Sequence, residues 1–146
     1  MNENFKFYTP LKVRYVETDM QGHVFFGNYF SYFDVGLTEY MGNLGFTYAD
    51  MMAQNVDMYY VDARCQYKGR AFFEDMLHVH TRIARFGNTS FSFEFAIVRI
   101  ESGDELIATG EITAVTVDMK TWKPIRVPDA LRRAVSEFEN NDRVVT

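Results

Sequence analysis

The chain has 146 residues, a length that suits one domain spanning 1–146. It is 47% hydrophobic and 24% charged with a formal net charge of −5, which excludes extended disorder and argues against nucleic acid as the main partner. Aromatic residues reach 16%, 14 of them Phe and 9 Tyr, more rings than a small core needs, so some are expected at an interface or pocket.

Residues 11–17 alternate, with Leu11, Val13 and Tyr15 on one face, and read as a first strand. The stretch TDMQGHVFFGN follows as a loop. From Tyr29 the period changes to three and four, through Phe30, Phe33, Leu37, Tyr40, Met41 and Leu44. This predicts an amphipathic helix to about Asn43, with Asn28 as its N-cap and Gly45 as its stop signal. A short helical piece is expected at Tyr48–Ala53.

Four segments then alternate with period two: 57–68, 76–85, 90–101 and 105–118. The first places Tyr59, Val61, Ala63, Cys65 and Tyr67 on one face. The third lines up Phe91, Phe93, Phe95 and Ile97. Phe86-Gly87-Asn88 and Ser102-Gly103-Asp104 read as hairpin turns, so the last strands form an antiparallel meander. Pro128 opens a closing helix with Leu131, Ala134, Val135 and Phe138 as its buried stripe. The class is therefore α+β, with the long helix buried on the Phe-rich sheet face.

Several chemistries lack their residues. There is no Gly-x-Ser-x-Gly elbow, no Walker loop and no Gly-x-Gly-x-x-Gly fingerprint. His78 and His80 flank Val79 on one strand face, but no third metal ligand is evident, and a polar, partly exposed face accounts for them. The lone Cys65 allows no intrachain disulfide, and Met1–Pro10 holds no apolar run like a signal peptide. No stretch has the length of a membrane span. These points give the expectation of a soluble cytoplasmic protein.

The remaining signal is Tyr15-Val-Glu-Thr-Asp-Met-Gln-Gly-His-Val-Phe-Phe-Gly-Asn-Tyr29, which joins the first strand to the long helix. A helix N-terminus offers unpaired N–H groups and a partial positive charge, able to polarise a carbonyl and hold an oxyanion. A nearby carboxylate can attack or activate water. Such a pair suffices for a thioester, because thiolate is a good leaving group. On spacing alone, Glu17, Thr18 and Asp19 fit turn and cap roles at least as well.

The string YVETDMQGHVFFGNYFSYFDVGLTEYM resembles the N-terminal signature of the 4-hydroxybenzoyl-CoA thioesterase-like family of hotdog proteins. The shared pattern is Asp, two residues, Gly, then His or an apolar residue, then aromatics and Asn-Tyr opening the helix. The Arg85–Phe91 turn, the Gly110-Glu111 strand centre and the Pro-led terminal helix fit as well, so the resemblance covers nearly all of the chain. It implies a hotdog fold, a curved antiparallel sheet of about five strands around one long helix with a short C-terminal helix. It implies an acyl-CoA thioesterase, needing no cofactor or metal, with sites formed at the interface of a homodimer or homotetramer.

By the same resemblance Asp19 is the nucleophile or general base, the Phe26 backbone N–H polarises the carbonyl, and His23 assists or only bonds within its loop. Tyr29 lines the acyl pocket or packs in the first helical turn. Glu39, on the helix, is expected to be exposed or capping. Lys68, Arg70, Arg85 and Lys123 are the candidate cations for the CoA phosphates, although the turn itself carries Gly87-Asn88 where some relatives have consecutive basic residues. Two other readings compete: a non-catalytic acyl-thioester-binding module on the same fold, and a hydroxyacyl dehydratase, whose His and acid pair finds no match here.

Overall fold

The structure is a computed structural model, and it describes residues 4–140. In chain order the elements are β1 (Tyr8–Lys12), a 3-10 turn (Tyr15–Glu17), α1 (Asn28–Asn43), α2 (Tyr48–Ala53), β2 (Val56–Tyr67), β3 (Met76–Phe86), β4 (Ser90–Arg99), a second 3-10 turn (Ile100–Ser102), β5 (Glu105–Asp118) and α3 (Asp129–Glu139). The strands make one antiparallel sheet in the order β1-β3-β4-β5-β2. This is the hotdog architecture, a sheet curved around one long helix. Among the described residues no helix is long and apolar enough to cross a membrane.

α1 lies on the sheet because its three-and-four stripe is apolar. Tyr29, Tyr32, Phe33, Leu37, Tyr40 and Met41 are all buried. The sheet face beneath supplies Phe91, Phe93, Phe95, Ile97, Val79 and Ile83, also buried. Each such ring or branched chain taken out of water contributes about 1.5–3 kcal/mol. At the centre Phe33 stacks on Phe95 with ring centroids 4.4 Å apart. The same ring lies over Gly110, where a Cβ would sit 2.3 Å from a Phe33 ring carbon. Only glycine lets helix and sheet approach this closely, which gives the Gly110-Glu111 strand centre its packing reason.

Four sequence expectations need correction. The first strand runs over Tyr8–Lys12, not 11–17. Val13 is buried, but Arg14 then folds onto Glu17, donating from its backbone N–H at 2.8 Å and its guanidinium at 2.8 and 3.0 Å, so the chain turns before Tyr15 can join the alternation. Asn28 is the first residue of α1 rather than its N-cap, because its amide side chain donates instead to the Glu17 carbonyl at 2.9 Å. On β2, a bulge between Tyr60 and Asp62 reverses the alternation. Met58 and Tyr60 therefore share the helix side with Ala63, while Tyr59 turns away towards Trp122. His80 is buried rather than partly exposed, sitting among Phe5, Tyr8 and His78, with no hydrogen-bond partner for either ring nitrogen among the described residues.

α3 closes one end of the sheet. Its buried Arg132 donates to the Gly87 and Asn88 carbonyls at 2.6 and 2.9 Å and to the Val127 carbonyl at 3.3 Å, and its guanidinium covers the Phe86 ring. A fork of donors suits the diverging carbonyls of the β3–β4 turn.

Candidate active site

The segment between β1 and α1 is a frame built around Glu17. Its half-buried carboxylate takes the three Arg14 donors and the Tyr32 hydroxyl at 3.0 Å. Burial opposes ionisation of Glu17, but the Arg14 and Tyr32 hydrogen bonds outweigh it and hold the carboxyl below its usual range. The Glu17 backbone carbonyl accepts from the Phe25 N–H at 2.9 Å and from the Asn28 side chain. One residue thus ties the strand exit to the start of α1.

Residues 18–24 form a small hairpin within this frame. Thr18 bridges Val24, Asp19 N–H donates to the His23 carbonyl at 3.0 Å, and Gly22 N–H returns to the Asp19 carbonyl at 2.9 Å. Gly22 sits at φ +86°, which a side chain would strain. Val24 N–H then bonds the Ala71 carbonyl at 2.9 Å, which pins the hairpin to the segment before β3.

Asp19 is half-buried at the base of this hairpin. Its Oδ1 accepts the Gln21 N–H at 2.8 Å, and Oδ2 has no partner among the described residues. The carboxylate borders an open depression of about 800 Å³, whose other walls include Tyr15, Val16, Met20 and Phe73. These side chains are exposed, Met20 fully so. Phe26 is not one of the walls. It lies across the Glu17 frame at the entry to α1.

At that entry the N–H groups of Phe26 and Gly27 have no acceptor among the described residues. The Phe25 carbonyl accepts from Asn28 N–H at 2.9 Å and so points along the helix. In a trans peptide the opposite N–H, that of Phe26, then points away from the helix, outward from its positive end. The next peptide is fixed by the Tyr67 hydroxyl, which donates to the Phe26 carbonyl at 2.9 Å. Burial and the neighbouring Cys65 push the Tyr67 phenol up to about 12, so it stays protonated as the donor.

The other candidates fall as follows. His23 is half-buried, and its ring nitrogens contact the Val24 carbonyl at 3.2 Å and Gln21 Oε1 at 3.1 Å, both within its own loop. Tyr29 is buried in the first turn of α1, edge-on to the Tyr32 and Tyr67 rings. Glu39 is exposed. Lys68 follows Tyr67 at the end of β2, and the Arg70 guanidinium lies 5.2 Å from the Phe72 ring, whose backbone bridges His23. Those two cations are therefore on the Asp19 side.

Arg85 and Lys123 are not. Arg85 shares a sheet row with Ser92, Thr113 and Asp62, whereas Tyr67 is in the row of Ala108, Ile97 and Val79. Arg85 is also engaged, with its guanidinium on Glu111 at 3.0 and 3.2 Å. Lys123 lies just past Asp118, which pairs with Val56 at the opposite end of β2. Among the described residues no cluster of three or more His, Cys, Asp or Glu side chains could hold a metal.

Sequence reasoning missed Tyr67, Tyr32 and the central place of Glu17. Tyr67 is 41 residues from Phe26 in the chain, and no local pattern links them. Glu17 had a signal, since it is one of two carboxylates in the loop, but its role depends on Arg14 and Tyr32 arriving together.

A curved antiparallel sheet around one long helix is the fold of the hotdog thioesterases, and the likenesses that follow make the chain a hydrolase. The chain belongs to the thioesterase-like superfamily, whose family model matches residues 13–135. It is similar to the acyl-CoA thioester hydrolase YbgC of Escherichia coli, 29% identical over 130 residues that cover 89% of this chain and 93% of the relative. Among solved structures, the DHNA-CoA thioesterase of Staphylococcus aureus superposes with a TM-score of 0.81 at 29% identity, covering 91% of this chain and 90% of that one. A Pseudomonas aeruginosa protein superposes with a TM-score of 0.82 at 27% identity, covering 94% of each chain.

Proposed function

We propose that the protein hydrolyses acyl-CoA thioesters to the free acid and CoA, with Asp19 as the catalytic carboxylate. The observation that carries this reading is that, among the described residues, an Asp19 oxygen beside an open depression and the N–H groups at the start of α1 both lack partners, on two sides of the Glu17 frame that joins them. The Phe26 N–H polarises the thioester carbonyl and takes up the charge of the oxyanion as it forms. Asp19 either accepts a proton from the attacking water or attacks the carbonyl carbon itself, in which case water then hydrolyses the mixed anhydride. The C–S bond breaks and CoA leaves as thiolate, which takes a proton from solvent. His23 holds the hairpin, and Tyr29 packs beneath the helix start.

The reading includes a homodimer, as a unit by itself or within a tetramer. β2 is one of the two edge strands of the sheet and carries exposed Tyr59, Tyr60 and Val61. An uncovered apolar edge of this kind is normally paired. Antiparallel pairing of two β2 edges about a twofold axis sets the Tyr67 end of one protomer beside the Val56 end of the other. That would bring Lys123 of one chain to the Asp19 side of its mate, where Lys68 and Arg70 already stand to meet the CoA phosphates.

Thiol release from a panel of acyl-CoAs, run beside sedimentation, tests the reading. Turnover by a dimer or larger species is the expected result. Acyl-CoA binding with no thiol release would favour a non-catalytic binding module.

A further inference from the structure

Two apolar hollows lie end to end along α1. The first, about 460 Å³, begins at Phe30 and runs past Leu37 between α1 and β2. The second, about 250 Å³, continues past Met41 and ends against Met51 and Met58. Leu37 and Tyr60 border both, so the two adjoin along one furrow line between α1 and β2. Its near end is at Phe30, in the first turn of α1, four residues along the chain from Phe26. Resting on the thioester-hydrolase reading above, we propose that this furrow holds a long, straight aliphatic acyl chain, and that the protein prefers fatty acyl thioesters to aromatic ones.

Length is the first argument. From Phe30 to Met41 the helix rises eleven residues, about 16 Å, which suits an extended chain of roughly a dozen carbons and far exceeds one ring. Chemistry is the second. The far end is closed by three methionines, unbranched and adaptable side chains that mould to flexible apolar chains. The charged residue in its lining, Asp57, is already engaged, accepting from the Tyr48 hydroxyl at 3.4 Å and from the Met58 N–H at 2.7 Å. Asp34, in the first hollow, is an exposed residue.

The test uses non-hydrolysable S-butyl-, S-dodecyl- and S-benzyl-CoA with the full chain, read by calorimetry, beside hydrolysis of the matching acyl-CoAs. Dodecyl-CoA is expected to bind at least about tenfold more tightly than either other compound, since each buried methylene adds affinity. Thr38→Trp fills the far hollow from an exposed helix position, and Met58→Gln places a polar group at its end. Each is expected to cut the dodecyl-to-butyl affinity ratio by about tenfold. Equal affinities, a preference for the benzyl compound, or a ratio that neither variant moves would overturn the furrow assignment. The two readings separate cleanly: hydrolysis without chain-length dependence removes the furrow alone, and chain-dependent binding without thiol release removes the hydrolase alone.

Discussion

The Tyr67 hydroxyl donates to the Phe26 carbonyl at 2.9 Å, and this one bond fastens the end of the edge strand β2 to the entry of α1. It orients the peptide that follows Phe26, next to the amide proposed to polarise the substrate. Tyr67→Phe keeps the ring packing and loses the bond. A typical hydrogen bond contributes about 0.5–1.5 kcal/mol, so kcat is expected to fall about threefold to tenfold with KM nearly unchanged. Steady-state kinetics checks this, and an unchanged kcat would remove Tyr67 from the site's support.

The backbone of Phe26, not its side chain, acts in the proposed reaction. Phe26 is 62% exposed, and its ring packs against the Phe25 and Tyr67 rings. Phe26→Ala is therefore expected to retain kcat within about fivefold, while Phe26→Pro, which deletes the N–H, is expected to lose about 10²–10³. Circular dichroism on both variants confirms that each is folded. Similar losses in the two would show that the amide is not the polarising group.

Gly110 tests the packing beneath the site. A methyl group there meets the Phe33 ring, which stacking on Phe95 prevents from retreating. Gly110→Ala is expected to destabilise by about 1–3 kcal/mol, the usual cost of overpacking, as measured by urea unfolding. A neutral effect would mean that α1 can lift from the sheet without penalty.

Glu17 gives the frame a pH dependence. Its folded carboxyl is held below the ordinary value of 4.5, so its contribution is complete above that value and is lost as pH falls through the folded one. Glu17→Gln is expected to lower Tm at neutral pH, and the gap from the wild type is expected to close as pH drops below about 4.5. Thermal melts over that window check the sign, and a gap that widened with acid would contradict it.

Most of the fold was legible because its elements are locally consistent. α1 and α2 follow from period and stop signals, with Gly45 at φ +82° ending α1 as its position implied. On spacing alone Asp19 was legible only as one polar member of a loop, and the family resemblance singled it out. The errors arose where side chains overrode pattern: Arg14 with Glu17 ended the first strand, and the bulge at Tyr60/Asp62 exchanged the faces of β2. Long-range ties such as Tyr67 with Phe26, and Arg132 with the Gly87 turn, have no local signature. The split of the cations between two ends of β2 was hidden too, because it depends on strand register rather than on spacing.

The central claim is that the Asp19 carboxylate performs the chemistry, and one substitution addresses it most directly. Asp19→Asn is nearly isosteric and can still accept the Gln21 N–H through its amide oxygen, so the hairpin should hold. Thiol release from acyl-CoA by this variant is predicted to fall at least about a hundredfold in kcat, the scale of a lost general base, with Tm close to that of the wild type. A folded Asp19→Asn protein that turned over at the wild-type rate would contradict the account.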